Sequence, residues 1–146
     1  MSNQNMFELM RTAEQLSNEM VIRWTRSFTR NLGISPILVL HELKEKGPQK
    51  PSDLAAALGY TPGALTNITN RLMKSAYVKR QHDEQDRRVV RLKITEEGKN
   101  CLLEANEKGQ KLRRELFEQL EEEEIIQFLR IQQKMLSILQ STNIFF

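Results

Sequence analysis

The chain of 146 residues holds one cysteine and two histidines, and no apolar run nears the roughly 20 residues of a membrane crossing. A single cysteine, Cys101, excludes an internal disulfide. His41 and His82 lie in different segments, so with that one thiol they supply neither a zinc ligand set nor a catalytic triad. No glycine-rich phosphate loop or dinucleotide loop occurs. The expectation is therefore a chain that is not an enzyme and carries no metal and no cofactor. Its opening, MSNQNMFELM, lacks the basic start and apolar core of a signal peptide, and a cytoplasmic location is expected. With no repeats or low-complexity linker, residues 1–146 read as a single domain.

The informative stretch runs from Pro51 to Gly98. Pro51-Ser52-Asp53 looks like a helix start, with Ser52 as the cap and Asp53 suited to the positive end of the dipole. Leu54 and Leu58 share a face, and Gly59 ends the helix where a positive φ is often required. Thr61 then caps a second helix, with Pro62 at its first position. Leu65, Ile68 and Leu72 form its apolar stripe. Gly63, Thr66, Asn67, Asn70 and Lys74 fall opposite, with Arg71 on the flank, and no carboxylate lies between Thr61 and Met73. Such a face suits the major groove, because amides and hydroxyls read base edges and cations reach guanine or phosphate. An ordinary solvated face is the plainer alternative.

A basic hairpin follows. Val78-Lys79-Arg80 reads as one strand and Arg88 to Ile94 as its partner, with Val90, Leu92 and Ile94 alternating with Arg91 and Lys93. From Asn70 to Lys93 there are eight Lys/Arg against three Asp/Glu, a net +5 in a protein whose total is +3. Positive charge is thus concentrated on the proposed DNA-reading part, as phosphate binding requires.

The order helix, turn, helix, then a wing with Asp86-Arg87-Arg88 and a closing Leu92-Lys93-Ile94-Thr95-Glu96-Glu97-Gly98, resembles the MarR family of bacterial transcription regulators. The likeness extends over nearly the whole chain. It departs at Ser75-Ala76-Tyr77-Val78, where many members have a glycine before the hydrophobic pair and Ala76 must serve instead. The resemblance implies a mainly α (α+β) fold, a winged helix-turn-helix whose long terminal helices form an intertwined homodimer bundle. Residues 34–97 would be the DNA-binding part, and 1–33 with 98–146 the dimerisation part. The resemblance also casts Arg88 as the wing group that enters the minor groove. Asp86 would orient the wing arginines or a helix arginine such as Arg71.

The flanking segments read as helices. A first spans about Asn5 to Asn31, its face lined by Leu9, Ala13, Leu16, Met20, Trp24 and Phe28, and ends at Leu32-Gly33. A second starts at Ser35-Pro36 and stops near Gly47-Pro48. After the wing, Thr95 caps a helix from Glu96 to about Leu120, with a bend expected near Gly109. The run Glu121 to Glu124 suits the start of a last helix. That helix carries two adjacent apolar rows, Ile125, Leu129, Leu136, Leu139 and Phe128, Ile131, Met135, Ile138, with Ile144-Phe145-Phe146 beyond. An arc this broad is more than one neighbouring helix covers, which points to burial against a second copy.

The reading that results is a sequence-specific duplex-DNA regulator, a repressor acting on a pseudo-palindromic operator as a homodimer. Thr61, Gly63, Ala64, Thr66, Asn67, Asn70, Arg71, Lys74, Lys79, Arg80, Asp86, Arg87, Arg88 and Arg91 are its candidate DNA-site residues. Within that set Thr66, Asn67 and Asn70 address base edges, while Lys74, Lys79, Arg80 and Arg91 address phosphate. The family also implies a small aromatic or phenolic effector, for which Arg23, Trp24, Phe28 and His41 are candidate lining residues; a plain core or surface role is their alternative. Two other readings stay open. One is a winged-helix adaptor for proteins. The other is a thiol sensor using Cys101, whose position near a helix start would lower its pKa, against a buried structural cysteine.

Overall fold

The computed structural model describes residues 2–141. Its elements run α1 (Asn3–Ser27), α2 (Ile34–Lys46), α3 (Pro51–Leu58), α4 (Pro62–Lys74), β1 (Val78–His82), β2 (Val90–Ile94), α5 (Glu96–Phe117) and α6 (Glu122–Ser141). Mainly helical with a two-stranded wing, this is the winged helix-turn-helix architecture that the sequence implied. Packing divides the chain into two compact units, Met1–Gly109 and Gln110–Phe146.

The first unit's core explains the helix order. Val39, Leu40 and Leu43 of α2, Leu54 of α3, Leu65 and Leu72 of α4, Val78, Leu92 and Ile94 of the wing, and Cys101 and Leu102 of α5 are all buried. Alternation places Leu92 and Ile94 on the inner face of β2, with Arg91 and Lys93 only part-buried between them. Each buried Leu or Ile contributes about 1.5–3 kcal/mol relative to exposure, so the wing base is anchored and not merely appended. Gln49 pairs with Leu92 through N–H···O bonds of 3.1 and 2.7 Å in the two directions, which extends the two-stranded wing to the α2–α3 link.

Several boundaries differ from expectation for physical reasons. α1 ends at Ser27, not Asn31: the Ser27 hydroxyl donates to the Trp24 carbonyl (2.8 Å), and Asn31 takes a left-handed φ of 53°. α2 begins at Ile34, with Gly33 rather than Ser35 at the cap and no side-chain cap bond. Lys50, not Ser52, caps α3, because Pro51 occupies the first helical position. β2 starts at Val90; Arg88 and Val89 belong to the turn, while β1 extends two residues past Arg80. Gly59 (φ 69°) and Gly47 (φ 77°) end their helices in the positive-φ region.

The exit from α4 is tied at several points. Ala76 takes φ 61°, the left-handed position where a glycine is usual. The Thr95 hydroxyl donates to the Ala76 carbonyl (2.6 Å) and accepts from the Gly98 amide (3.0 Å), and the Thr95 amide donates to the Tyr77 carbonyl (3.0 Å). Gly98 lies so close that a Cβ there would stand 2.1 Å from the Tyr77 oxygen. The hydrophobic-Thr-x-x-Gly pattern therefore has a mechanical meaning. Ile94 fills the core, Thr95 ties two backbones together, and Gly98 leaves room for the crossing chain. Arg30, from the α1–α2 link, completes the joint: it donates to Glu104 (2.6 Å), Glu97 (2.7 Å) and the Tyr77 hydroxyl (3.3 Å), with its guanidinium 5.8 Å from the Tyr77 ring centre.

In the second unit, the Glu121 amide donates to the Glu124 carboxylate (2.9 Å), and Glu122–Glu124 fill the first turn of α6. The acidic run thus starts a helix, as expected. Phe117 and Phe128 meet at 6.0 Å between ring centres. No described residue of α6 is buried, although both apolar rows lie on it. Ile144-Phe145-Phe146 lie outside the described residues.

Candidate nucleic-acid interface

Helix α4 presents the face that its spacing requires. Leu65 and Leu72 are buried, Ile68 is half-buried, and Thr69 adds a buried position between them. Thr61 caps the helix by accepting from the Ala64 amide (3.2 Å). Gly63, Ala64, Thr66, Asn67, Asn70, Arg71 and Lys74 are all exposed. A Cβ at Gly63 would meet nothing within 4 Å, so glycine there leaves open surface rather than relieving an internal clash. The Thr66 hydroxyl donates to the Pro62 carbonyl (2.8 Å), which fixes the rotamer and leaves its lone pairs and methyl outward. The side-chain amides of Asn67 and Asn70 have no partner among the described residues, so their donor and acceptor pairs are free for a ligand.

Arg80 joins this face. A hollow of about 210 Å³ between α4 and the wing is lined by Thr66, Asn70 and Arg80 at its polar edge and by Leu65, Met73, Val90 and Leu92 below. Arg71 lies on another side, at a cleft with Thr25, Phe28, Asn31 and Leu32. In the wing, Lys79 stands directly opposite Lys93 in the antiparallel register. Like charges so placed repel, and neither has an acidic partner among the described residues, so a polyanion would relieve them.

The wing tip is built on two carboxylates. Asp83 accepts from the Gln85 amide (2.9 Å), the Asp86 amide (3.2 Å) and the Arg91 guanidinium (2.6 Å). Asp86 accepts from the Arg88 amide (3.1 Å) and, through both oxygens, from its guanidinium (3.1 and 3.2 Å). The Arg91 hydrogen bond holds the Asp83 carboxyl below its usual range, and the Arg88 bond does the same for Asp86. Asp86 thus orients Arg88 and makes no bond to Arg71. Arg88 remains 92% exposed, whereas Arg91, 35% exposed, is engaged inside the wing. Arg87 is exposed, and its carbonyl lies 3.1 Å from His82 Nδ1. Asp83 was not singled out from the sequence; its signal is an aspartate two residues before a turn amide, the spacing of an Asx turn.

The four effector candidates do not converge on one cavity. Trp24 and Phe28 are buried and stack at 5.1 Å, and the indole N–H donates to the Ala105 carbonyl (3.0 Å). Arg23 pairs with Glu19 on the exposed side of α1. His41 is exposed on α2. Only Phe28 of the four borders the cleft of about 300 Å³ beside Arg71. Cys101 is fully buried, and burial pushes its thiol pKa up, the opposite of a dipole-activated thiolate.

Among the described residues no His/Cys/Asp/Glu group could hold a metal ion, and no helix is long and apolar enough to cross a membrane.

Comparison with known proteins agrees with this geometry. Residues 34–90 match the MarR family. The chain is 30% identical over 100 residues to the uncharacterised HTH-type transcriptional regulator YpoP of Bacillus subtilis (strain 168), covering 68% of each chain. It is 31% identical over 100 residues to the transcriptional repressor MprA of Escherichia coli (strain K12), covering 68% of this chain and 57% of MprA. A solved MarR family protein from Bacillus stearothermophilus superposes with a TM-score of 0.81 at 23% identity, covering 96% of this chain and 99% of that one. The chain therefore belongs to the MarR family of DNA-binding, winged helix-turn-helix transcriptional regulators.

Proposed function

We propose that this regulator is a cytoplasmic repressor that binds a pseudo-palindromic operator as a homodimer. Two copies of α4 enter successive major grooves about one helical turn apart. Thr66, Asn67 and Asn70 address base edges, and Gly63 and Ala64 allow the backbone close. Lys74, Lys79 and Arg80 contact phosphate. Arg88, steadied by Asp86, enters the flanking minor groove beside Arg87. The observation that carries this reading is the open, carboxylate-free face of α4 beside a wing tip with an exposed, carboxylate-oriented arginine.

The division of labour follows. Residues 34–97 read DNA, and the segments 1–33 and 98–146 dimerise. Support comes from apolar groups left exposed in a single chain: Phe7, Leu9, Met10 and Leu16 on α1, and Phe128, Leu129, Ile131, Met135 and Leu136 on α6. Faces of this kind mark an interface. A small aromatic effector would enter the cleft at Phe28 and Arg71, where a cation and an aromatic ring stand together, and would displace the arginine that α4 carries.

Selection of bound duplexes from a random pool tests the whole reading. The expected product is two inverted half-sites whose centres are separated by about one turn. Binding without sequence preference would remove the base-reading role. Absence of salt-dependent duplex binding would leave a protein-interaction module instead.

A further inference from the structure

The wing holds a histidine that the proposed DNA contacts do not use. His82 ends β1, opposite Val90, and its Nδ1 lies 3.1 Å from the carbonyl oxygen of Arg87. A carbonyl oxygen only accepts, so Nδ1 carries the proton in that bond whether the ring is neutral or charged. The bond pins the imidazole across the base of the wing tip, five residues from its partner. Protonation therefore changes only the other edge. Nε2 is a bare lone pair in the neutral ring and an N–H donor in the cation, and it has no partner among the described residues. His82 is exposed.

Charged groups of both signs surround the ring. The tip carboxylates nearest in sequence are already engaged: Asp83 with Arg91 and two backbone amides, Asp86 with Arg88. Glu84 remains as the acidic group without a partner among the described residues. On the basic side, Arg91 of β2 shares the hollow with His82, and Arg80, Arg87 and Arg88 lie within six residues of it in the chain. The α2–α3 link contributes only the uncharged Pro48 to the hollow that His82 shares with Asp83, Glu84 and Arg91. From Val78 to Ile94 the wing carries six Lys/Arg against three Asp/Glu, a net positive surface for a phosphate to approach.

We infer that His82 is a DNA-backbone contact that works as an imidazolium, its Nδ1–H held by the Arg87 carbonyl and its Nε2–H given to a phosphate beside the wing. This rests on the wing lying against duplex DNA. Complex formation then takes up protons. The sign follows from linkage: the bound state holds His82 protonated to higher pH than the free state does. Affinity is therefore greatest at low pH and falls as pH rises through the imidazole range, about pH 5.5 to 8.

The experiment measures duplex affinity from pH 5.5 to 8 at fixed salt, using a selected operator duplex with wild type, His82→Asn and Arg88→Ala. Asparagine keeps a donor where Nδ1 stands but cannot titrate, and His41 is present in all three proteins. Wild type should lose about threefold to tenfold in affinity per chain across this range, the scale of one screened phosphate contact. His82→Asn should match wild type near pH 8 and lack that loss. The ring Cε1–H resonance of His82 should titrate at higher pH in the complex than in the free protein. Equal pH profiles in wild type and His82→Asn, a uniform loss by His82→Asn at every pH, or an unmoved ring titration would each overturn the inference. If Arg88→Ala retains full affinity, the wing is not on the DNA and the underlying reading fails with it; if Arg88→Ala loses affinity and the profiles still coincide, only the His82 assignment fails.

Discussion

Replacing Gly98 by alanine sets two opposing effects against each other in one residue. Gly98 lies in the first turn of α5, and glycine costs a helix about 1 kcal/mol relative to alanine. Helix propensity alone therefore predicts that Gly98→Ala stabilises the protein. The crossing chain predicts the reverse. A Cβ would stand 2.1 Å from the Tyr77 carbonyl oxygen, 3.0 Å from its carbon and 2.8 Å from Ile94 Cγ1. Two of the three atoms are backbone, and that carbonyl already accepts the Thr95 amide at 3.0 Å. To reach ordinary contact, about 3.4 Å, it would have to retreat by more than 1 Å, which breaks that bond and drags Ala76 from its tether to the Thr95 hydroxyl. Overpacking at a site that cannot yield costs about 1–3 kcal/mol, and a lost buried hydrogen bond about 1 kcal/mol more. The net expectation, after crediting propensity, is a destabilisation of about 1–3 kcal/mol. Urea unfolding followed by circular dichroism measures it as a lower midpoint at unchanged slope. Gly63→Ala is the internal comparison, because its Cβ meets nothing within 4 Å and only the propensity gain applies. It should be slightly stabilising while weakening duplex binding. A Gly98→Ala protein as stable as wild type, or more so, would refute the account of the Thr95–Gly98 joint.

Other outcomes follow from single contacts. Ala76→Gly should stabilise by about 0.5–1 kcal/mol in the same unfolding assay, since φ 61° strains a residue with a Cβ. Arg88→Ala should cost about 1–3 kcal/mol of specific duplex affinity with circular dichroism unchanged, read by fluorescence anisotropy. The Asp83 carboxyl is held low in the folded wing, chiefly by Arg91, so its contribution to stability is present above the unfolded aspartate range near pH 4 and is lost as pH falls through the depressed folded value. Amide exchange at Gln85 and Asp86 should accordingly speed up in acid relative to a base-corrected rate, and the change should vanish in Asp83→Asn. Cys101 should resist iodoacetamide until the protein is unfolded, and peroxide should leave duplex affinity unaltered.

What the sequence disclosed and what it hid differ in kind. Local chemistry was legible. Thr61-Pro62 announced a helix start, Gly59 a positive-φ exit, and the Val90-Leu92-Ile94 alternation a half-buried strand, because caps, turns and period-two patterning act within a few residues. The helix start at Ser52 was misplaced by two residues, since a proline competes for the first position and moves the cap back to Lys50. Contacts between distant segments were not legible. Gln49 pairing with Leu92, or Arg30 reaching Glu97, Glu104 and Tyr77, depends on the assembled fold rather than on neighbours. The effector candidates, taken from the family resemblance, scatter for the same reason: Trp24 stacks on Phe28 and bonds the Ala105 carbonyl of α5, while Arg23 and His41 stay exposed. Arg91 shows the limit of counting charge. It added to the basic total, yet its guanidinium is paired with Asp83 inside the wing.

That internal pairing bears on how the wing divides its cations. A short two-stranded ribbon is marginal alone, and a tip with several arginines would repel itself if all were free. Asp83 closes the turn and holds Arg91, which ties the tip to β2. Asp86 orients Arg88 without covering it. Two carboxylates thus convert a generally basic loop into one with a structural cation and a presented one. The base of the wing has an equivalent anchor in the Thr95 joint, and Arg30 extends that anchor through Tyr77 and Glu97 to the α1–α2 link. Order at the tip and order at the base are therefore separable. Loss of Asp83 loosens the presentation of Arg88 while the core strands stay paired, whereas loss of Gly98 disturbs the fold before the tip is affected.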